Sequence, residues 1–340
     1  MVSAILLGVL LGGSARAQPP PDQAPTRIRV QVNEVIVPIT VTDDKGRFVT
    51  NMDPSDFRIF DEGREQTIRY FNREHRQPIV VGFLIDLSNN MRLHWKNYQD
   101  AATELVLALL PGEPKYTGYL ISYHSEAELL VNTTHDPEPM VDKLRKVKPG
   151  GGAALYDAIY MACTRRELVK GEPYEPRRVI VIVGDGHDSA SKKSVEEVLE
   201  IAQRSLVTIH AISTVAFGFA SEGQSVLERL ASETGGRVEY PLNRLYKNVS
   251  GYLSNPSDEG NYAYQVGTGG YAAEISSGIV RAIQGIAGEI TTQYIIRYVP
   301  DADAAAKPRQ FRRLRVEVKL QNVKVRARNG YYPEPVTPAP

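Results

Sequence analysis

The sequence predicts an α/β unit with a mostly parallel sheet, inserted between the two halves of a small β-sandwich. Two observations indicate the central unit: nearly continuous apolar runs lie in the middle of the chain, and apolar residues at helical spacing recur beside them. A strand that helices cover on both faces is apolar at almost every position, so such runs alternating with helices indicate a parallel sheet. Alternating apolar and polar residues at both ends of the chain indicate the sandwich.

The central strands and helices alternate along the chain. The apolar runs lie at residues 79–86, 116–123, 179–183 and 207–213. Helical spacing of apolar residues is found at residues 101–109, 140–147, 155–162, 195–201, 226–230 and 279–286. Open sheets of this kind bind ligands outside the carboxyl ends of their strands. The loops that follow Ile85, Val183 and Ser213 are therefore the expected functional region.

The strands at the two ends of the chain are expected to pair with each other. Strand-like alternation is found at residues 28–41, 57–70, 295–298 and 314–327. Within the last segment, Gln321 and Asn322 predict a tight hairpin. Neither end has enough strands to bury an apolar face alone, because a lone hairpin or meander is marginal in water. We therefore expect both ends to contribute to one sandwich.

These patterns divide the chain into six predicted segments. They are a signal peptide (1–17), a Pro-rich linker (18–26), the N-terminal part of the sandwich (27–75), the α/β domain (76–293), the C-terminal part of the sandwich (294–332) and a disordered tail (333–340). Within the α/β domain, residues 242–274 are rich in Gly and Tyr and predict an irregular insertion. Tyrosines among small polar residues suit a recognition surface, although an ordinary insertion without a role of its own is the alternative.

The N-terminus has the features of a secretory signal. A short apolar run at residues 4–11 precedes Ala15-Arg16-Ala17, which has the small-x-small pattern of a cleavage site. We therefore expect a secreted or periplasmic protein. The run is far shorter than the ~20 apolar residues that span a bilayer, so we expect no transmembrane anchor.

Composition excludes several function classes. The chain has 40 Lys and Arg against 40 Asp and Glu, so it lacks the net positive charge that favours nucleic acid as a partner. Its one cysteine, Cys163, cannot form an internal disulfide or a Cys-rich zinc site, and we expect a buried, inert thiol. No Gly-x-Ser-x-Gly elbow or credible Ser, His and Asp set is present, so we expect no enzyme. An exported hydrolase is a remote alternative.

Carboxylates and hydroxyls follow the predicted strand ends. Asp86 and Ser88 come directly after the first central run, Gly152 and Ala153 precede a predicted helix, and Asp185 ends another run. The carboxyl ends of parallel strands meet at one edge of a sheet, so these residues should lie close together. Oxygen ligands suit a hard cation such as Mg²⁺. The alternative is that the two aspartates cap helices and bind loop amides.

Several motifs of the chain resemble those of the von Willebrand factor type A (VWA) domain. They are Phe83-Leu84-Ile85-Asp86-Leu87-Ser88, Ala154-Leu155-Tyr156-Asp157-Ala158, Asp185-Gly186 and Thr234-Gly235-Gly236-Arg237. Asp56-Phe57, Gln293-Tyr294 and Arg328-Asn329-Gly330-Tyr331 extend the resemblance to both ends. The sequence is most similar to VWA-related secreted proteins known chiefly from acidobacteria.

The resemblance implies a doubly wound, Rossmann-like sheet with a metal-ion-dependent adhesion site (MIDAS). There, an acidic group of a partner protein completes the coordination of Mg²⁺ or Mn²⁺. Asp86 and Ser88 match the first two members of the family's Asp-x-Ser-x-Ser motif, and Asp185 matches its later aspartate. Asn90 stands where the second serine is expected, and Ala153, without a donor atom, stands where a threonine is expected.

We therefore predict an exported VWA-domain protein that mediates protein–protein interaction or adhesion through a degenerate MIDAS. The predicted metal ligands are Asp86, Ser88, Asn90 and Asp185, and the predicted partner contacts are Asn89, Gly152, Ala153 and His187. The alternative is a metal-independent envelope scaffold that binds through its β module and its Tyr-rich insertion.

A basic stripe follows the C-terminal strands. It consists of Arg312, Arg313, Arg315, Lys319, Lys324, Arg326 and Arg328. Such a stripe could contact an anionic envelope surface or polysaccharide. A solvated strand face that discourages edge pairing is the other interpretation.

Overall fold

The computed structural model describes residues 34–73, 78–92, 95–165, 168, 177–214, 222–241, 268–301 and 310–333. The predicted signal peptide, the linker, a predicted strand at residues 28–32 and most of the C-terminal tail lie outside these residues. No helix of the described part is long and apolar enough to cross a membrane.

Six strands form the central sheet: β5 (Ile79–Asp86), β6 (Tyr116–Tyr123), β7 (Ala127–Thr134), β8 (Arg177–Gly184), β9 (Thr208–Ser213) and β10 (Val238–Glu239). Their order across the sheet is β10-β9-β8-β5-β6-β7. All neighbours pair in parallel except β7, which runs antiparallel to β6 at one edge. The predicted mostly parallel sheet is confirmed.

Helices cover both faces of this sheet. They are α1 (Trp95–Leu109), α2 (Glu138–Leu144), α3 (Leu155–Thr164), α4 (Val195–Arg204), α5 (Glu222–Thr234) and α6 (Thr268–Thr292). Phe83 and Ile85 of β5 pack into a core with α1, α2 and α6, whereas Leu84 enters a second core with α3, α4 and α5. Every position of β5 is therefore buried, which explains why its sequence is continuously apolar. The doubly wound arrangement is confirmed.

The remaining strands form the predicted sandwich. They are β1 (Val35–Asp43), β2 (Phe57–Asp61), β3 (Arg64–Gln66), β4 (Tyr70–Asn72), β11 (Tyr294–Tyr298), β12 (Arg312–Val318), β13 (Val323–Ala327) and β14 (Gly330–Tyr331). One sheet has the order β13-β1-β11-β4 and the other the order β14-β12-β2-β3. Each sheet thus contains both N-terminal and C-terminal strands, and a third core including Ile39, Ile59 and Ile296 lies between the sheets.

Two expectations about local structure are wrong. β12 and β13 do not form a hairpin: β12 pairs with β2 and β13 pairs with β1, so the turn at Asn322 crosses from one sheet to the other. Both strands then face the same core from opposite sides, which a flat hairpin would not allow. Residues 268–274 begin α6 instead of belonging to an irregular insertion. Gly269 and Gly270 have low helix propensity, so the sequence pattern did not predict that the helix begins here. Residues 242–267 of the predicted insertion lie outside the described part.

A buried ionic cluster joins α6 to the sandwich. Glu289 of α6 is fully buried and accepts hydrogen bonds from Nε and Nη2 of Arg326, both at 3.0 Å. Arg237, beside β10, donates to the same carboxylate at 3.4 Å. Burial by itself would raise the pKa of Glu289, but neighbouring basic side chains outweigh it and lower that pKa. The cluster therefore holds β13 of the sandwich against α6 of the α/β unit.

The predicted basic stripe does not form one surface. Arg312 donates to the fully buried Asp61 at 2.8 Å, Arg326 is held by Glu289, and Arg328 is buried. Because side chains alternate along a strand, only part of the stripe, including Arg313 and Arg315, is exposed. Neither surface interpretation therefore applies to Arg312, Arg326 and Arg328.

Candidate functional site

The site lies at the carboxyl edge of the central sheet. Asp86 is the last residue of β5, and Gly184 is the last residue of its parallel neighbour β8, so Asp185 begins the loop beside Asp86. We call the group formed by Asp86, Ser88, Asn90 and Asp185 the rim site. The structure brings these residues to one edge, as the sequence predicts.

Direct hydrogen bonds tie the surrounding loops together. The amide of Asn89 donates to the carbonyl of Gly151 at 3.1 Å. The side-chain amide of Asn90 donates through Nδ2 to Oδ2 of Asp185 at 2.8 Å. The loop after β5 is therefore joined both to the glycine-rich loop before α3 and to the loop after β8.

Asp86 is the most unusual group of the site. It is fully buried, and its Oδ1 accepts the backbone amide of Ser88 at 2.7 Å. Asp86 Oδ2 and Ser88 Oγ are both buried without a hydrogen-bond partner among the described residues. Burial first, and then the nearby charge of Asp185, raise the pKa of Asp86 to about 7. A buried carboxylate oxygen without a partner is costly, so Oδ2 of Asp86 can accept a hydrogen bond or bind a cation.

Asp185 is half-buried and has a partner on each oxygen. Oδ1 accepts a hydrogen bond from the backbone amide of His187 at 2.8 Å, and Oδ2 accepts one from the side-chain amide of Asn90. Between them, Gly186 adopts a φ of 80°, a left-handed conformation that favours glycine. Both oxygens of Asp185 therefore bind groups of the loops, which is the second part of the alternative interpretation. Within the described residues, Asp185 caps no helix through its side chain.

The cap of α3 comes instead from residues farther along the same loop. Oδ2 of Asp188 accepts the amide of Tyr156 at 2.9 Å, and Oγ of Ser191 accepts the amide of Asp157 at 3.0 Å. Ser189 lies between them, and its Oγ accepts the backbone amide of Ala153 at 3.1 Å. A hydroxyl from another loop thus reaches the backbone of Ala153, whose own side chain has none.

The predicted partner contacts differ in accessibility. Asn89 and His187 are exposed, and Gly152 is half-buried. Ala153 is only 1% exposed, and its carbonyl accepts the amide of Ser189 at 2.8 Å. Ala153 therefore offers no surface to a partner, and that part of the prediction is wrong.

Similarity to a known family agrees with this geometry. Residues 81–248 match the model of the von Willebrand factor type A domain. The central part of this chain is a VWA domain. VWA domains form a family of protein-interaction and adhesion modules that are generally not enzymes. The closer likeness to acidobacterial proteins stays a prediction.

Solved structures with similar chains include three from different sources. BatB from Bacteroides thetaiotaomicron has 16% identity and a TM-score of 0.37, over 47% of this chain and 88% of that protein. The vWF domain of the type V pili tip protein Mfa5 from Porphyromonas gingivalis has 22% identity and a TM-score of 0.30, over 33% and 39%. Proximal thread matrix protein 1 from the mussel byssus, with a zinc-occupied MIDAS motif, has 17% identity and a TM-score of 0.41, over 50% and 43%.

This chain thus spans less than half of the latter two structures. At these TM-scores the three likenesses carry no weight for the function of this chain. No curated protein is significantly similar to it in sequence.

The donor set of this VWA domain fits a hard cation better than a transition metal. Among the described residues, no three His, Cys, Asp or Glu side chains form a group that could hold a metal ion. The rim site instead offers oxygens of Asp86, Ser88 and Asp185, two of which, Asp86 Oδ2 and Ser88 Oγ, have no partner within the described part. Mg²⁺ prefers oxygen ligands and keeps several waters, so three protein residues are sufficient.

One residue beside the site was missed from the sequence. Tyr123 ends β6 opposite Asp86, and its hydroxyl is buried without a partner among the residues described. The available signal was that the apolar run at residues 116–123 ends at the same edge as Asp86. Cys163, by contrast, is buried as expected, and burial raises the pKa of its thiol to about 12.

Proposed function

We propose that this chain is an exported protein whose VWA domain binds an acidic group of a partner protein at the rim site. The observation that carries the proposal is the pair of buried oxygens without partners, Asp86 Oδ2 and Ser88 Oγ, beneath exposed loop residues. The buried oxygens of such a site attract a cation, and the exposed loop residues above them are accessible to another molecule. The apolar run and small-x-small pattern at the N-terminus support export.

In this proposal Asp86, Ser88 and Asp185 hold Mg²⁺ or Mn²⁺. A bound divalent cation would neutralise the two carboxylates and attract the acidic group of the partner. Asn90 can join the ligands through its carbonyl oxygen if its amide turns away from Asp185, to which it now donates. Asn89 and His187 are exposed and therefore available to the partner.

The rest of the loop geometry serves to hold these residues in place. Ser88 fixes one oxygen of Asp86 through its amide, and His187 fixes one oxygen of Asp185 in the same way. Each aspartate thus keeps a defined rotation without any metal. A preformed site loses less conformational entropy when it binds its ligand.

Isothermal titration with Mg²⁺ and Mn²⁺ tests the cation site. Wild type should bind, and Asp86→Ala should show no binding heat. The matched control is Asp100→Ala, which removes an exposed aspartate that pairs with Lys96 on α1 and should bind as wild type does. Heats near zero for wild type would exclude the cation from the function.

A metal-independent scaffold is the second candidate. The hydrogen bond from Asn90 to Asp185 and the missing donor at Ala153 favour it, because both reduce the oxygens available to a cation. Partner capture from envelope extracts, with and without EDTA, separates the two functions. Capture that EDTA abolishes supports the cation site, whereas capture of the same proteins in EDTA supports the scaffold.

A further inference from the structure

Tyr123 reaches the carboxylate of Asp86 from the neighbouring strand. Asp86 and Tyr123 are in register on β5 and β6, and residues in register on adjacent strands lie on the same face of a sheet. On the other side of Asp86, Gly184 ends β8. A Cβ on Gly184 would overlap the Tyr123 hydroxyl and would stand 3.1 Å from Oδ2 of Asp86. The hydroxyl therefore extends across β5 and lies beside that carboxylate, and only glycine leaves room for it.

The two atoms have complementary hydrogen-bonding needs. The hydroxyl of Tyr123 and Oδ2 of Asp86 are both buried, and neither has a partner in the described part of the chain. A phenol keeps its proton near neutral pH, so the hydroxyl of Tyr123 is a hydrogen-bond donor. One atom is thus a donor and the other an acceptor. A direct bond or one bridging water would satisfy both.

Tyr119 shows that this arrangement is specific to Tyr123. Tyr119 lies four residues earlier on the same strand and in the same core, and its ring lies over Gly82 of β5. Its hydroxyl, however, donates to the carbonyl of Ala162 on α3 at 3.5 Å. A helix carbonyl therefore accepts the hydrogen bond of Tyr119, whereas Tyr123 has Oδ2 of Asp86 beside its hydroxyl.

We propose that Tyr123 is a positioning residue of the rim site, whose hydroxyl bonds to Oδ2 of Asp86 directly or through one bridging water and holds the carboxylate turned toward the rim. With Ser88 holding Oδ1, both oxygens of Asp86 are then fixed from the protein side, and their remaining lone pairs face the loops. The role in cation binding rests on the proposed function. The hydrogen bond itself can be tested without a cation.

The first experiment compares Tyr123→Phe with Tyr119→Phe. Each variant removes one buried hydroxyl from the same face of β6. Calorimetric titration with Mn²⁺ should show about tenfold weaker binding for Tyr123→Phe, the usual cost of losing a group that orients a metal ligand. Tyr119→Phe should stay within about twofold of wild type, because its hydroxyl does not face the site. Unchanged affinity in Tyr123→Phe, or equal losses in both variants, would overturn the proposal.

The second experiment is a double-mutant cycle on the metal-free protein. Urea unfolding of Tyr123→Phe, Asp86→Ala and the double variant in EDTA should show coupling between the two sites, whereas the cycle with Tyr119→Phe should show none. Absence of coupling would overturn the hydrogen bond whether or not a cation binds. If wild type fails to bind Mn²⁺, the proposed cation site fails, and the cycle alone decides the role of the hydroxyl.

Discussion

Asp86 and Glu289 are both fully buried carboxylates, but their surroundings are opposite. Three donors of Arg326 and Arg237 surround Glu289, and neighbouring basic groups lower its pKa. Asp86 has one backbone amide on one oxygen, faces the charge of Asp185 and has a raised pKa. The protein therefore gives Glu289 a full set of hydrogen-bond donors and leaves Asp86 with fewer donors than its carboxylate can accept.

A third buried carboxylate supports this reading of the difference. Asp61, in the sandwich, accepts hydrogen bonds from Tyr298, Tyr331 and Arg312 at 2.8 to 2.9 Å. Like Glu289, it is satisfied by residues distant in sequence and joins separate strands. Carboxylates that hold the fold together are thus fully bonded here, whereas the unsatisfied one lies at the edge where ligands bind.

The largest expected effect comes from breaking the satisfied carboxylate. Glu289→Gln should lower the free energy of unfolding by about 4 kcal/mol, because it removes the buried counter-charge of Arg326 and leaves Arg237 with Glu239 alone. Urea unfolding at pH 7 measures it. The control is Glu200→Gln, which removes an exposed partner of Arg204 and should cost less than about 1 kcal/mol. Similar losses in both variants would contradict a structural role for Glu289.

The same kind of change at Asp86 should have the opposite sign. Its raised pKa means that the folded state holds a proton on Asp86 more tightly than the unfolded state, so the contribution of Asp86 to wild-type stability falls as pH rises from about 4 to about 7. In EDTA at pH 8, Asp86→Asn should therefore be about 3 kcal/mol more stable than wild type.

Urea unfolding of both proteins across this pH range measures the effect. The gain should disappear below pH ~4, where Asp86 is protonated in both the folded and the unfolded state. A loss of stability at pH 8, or a gain that does not depend on pH, would contradict the raised pKa of Asp86 in the folded state.

The smallest effect concerns Asn90. Asn90→Ser removes the amide that occupies Oδ2 of Asp185 and restores a small hydroxyl, so Mn²⁺ affinity should rise about fivefold, or about 1 kcal/mol. Titration calorimetry checks this. The neighbouring Asn89→Ser is the control and should leave affinity unchanged, because the bond from Asn89 to Gly151 uses only its backbone. Weaker binding in Asn90→Ser would make the asparagine a ligand.

The central strands were predictable because burial on both faces leaves only apolar residues at every position. Residues 79–86 and 116–123 coincide with β5 and β6. The edge strand β7 was missed because it is only half-buried, has one neighbour and pairs with register shifts. The supposed hairpin of β12 and β13 failed because a short connection does not show whether two strands share a sheet.

Part of the candidate site was also predictable from the sequence, namely the positions of its two aspartates. Asp86 and Asp185 follow buried parallel strands, and the carboxyl ends of such strands must meet at one edge. The bond between Asn90 and Asp185 and the reach of Tyr123 across β5 depend on side-chain positions in three neighbouring segments. No local pattern in any one of them encodes such contacts.

The sequence by itself determined the layers of the fold and the residues at its functional edge, because periodic burial and parallel topology depend on order along the chain. Only the tertiary structure decided which buried charges are satisfied. Arg326 and Glu289 are 37 residues apart, and Tyr298 and Asp61 are 237 apart. Whether such partners meet depends on packing between strands and helices, and that packing also leaves Asp86 without a partner on one oxygen.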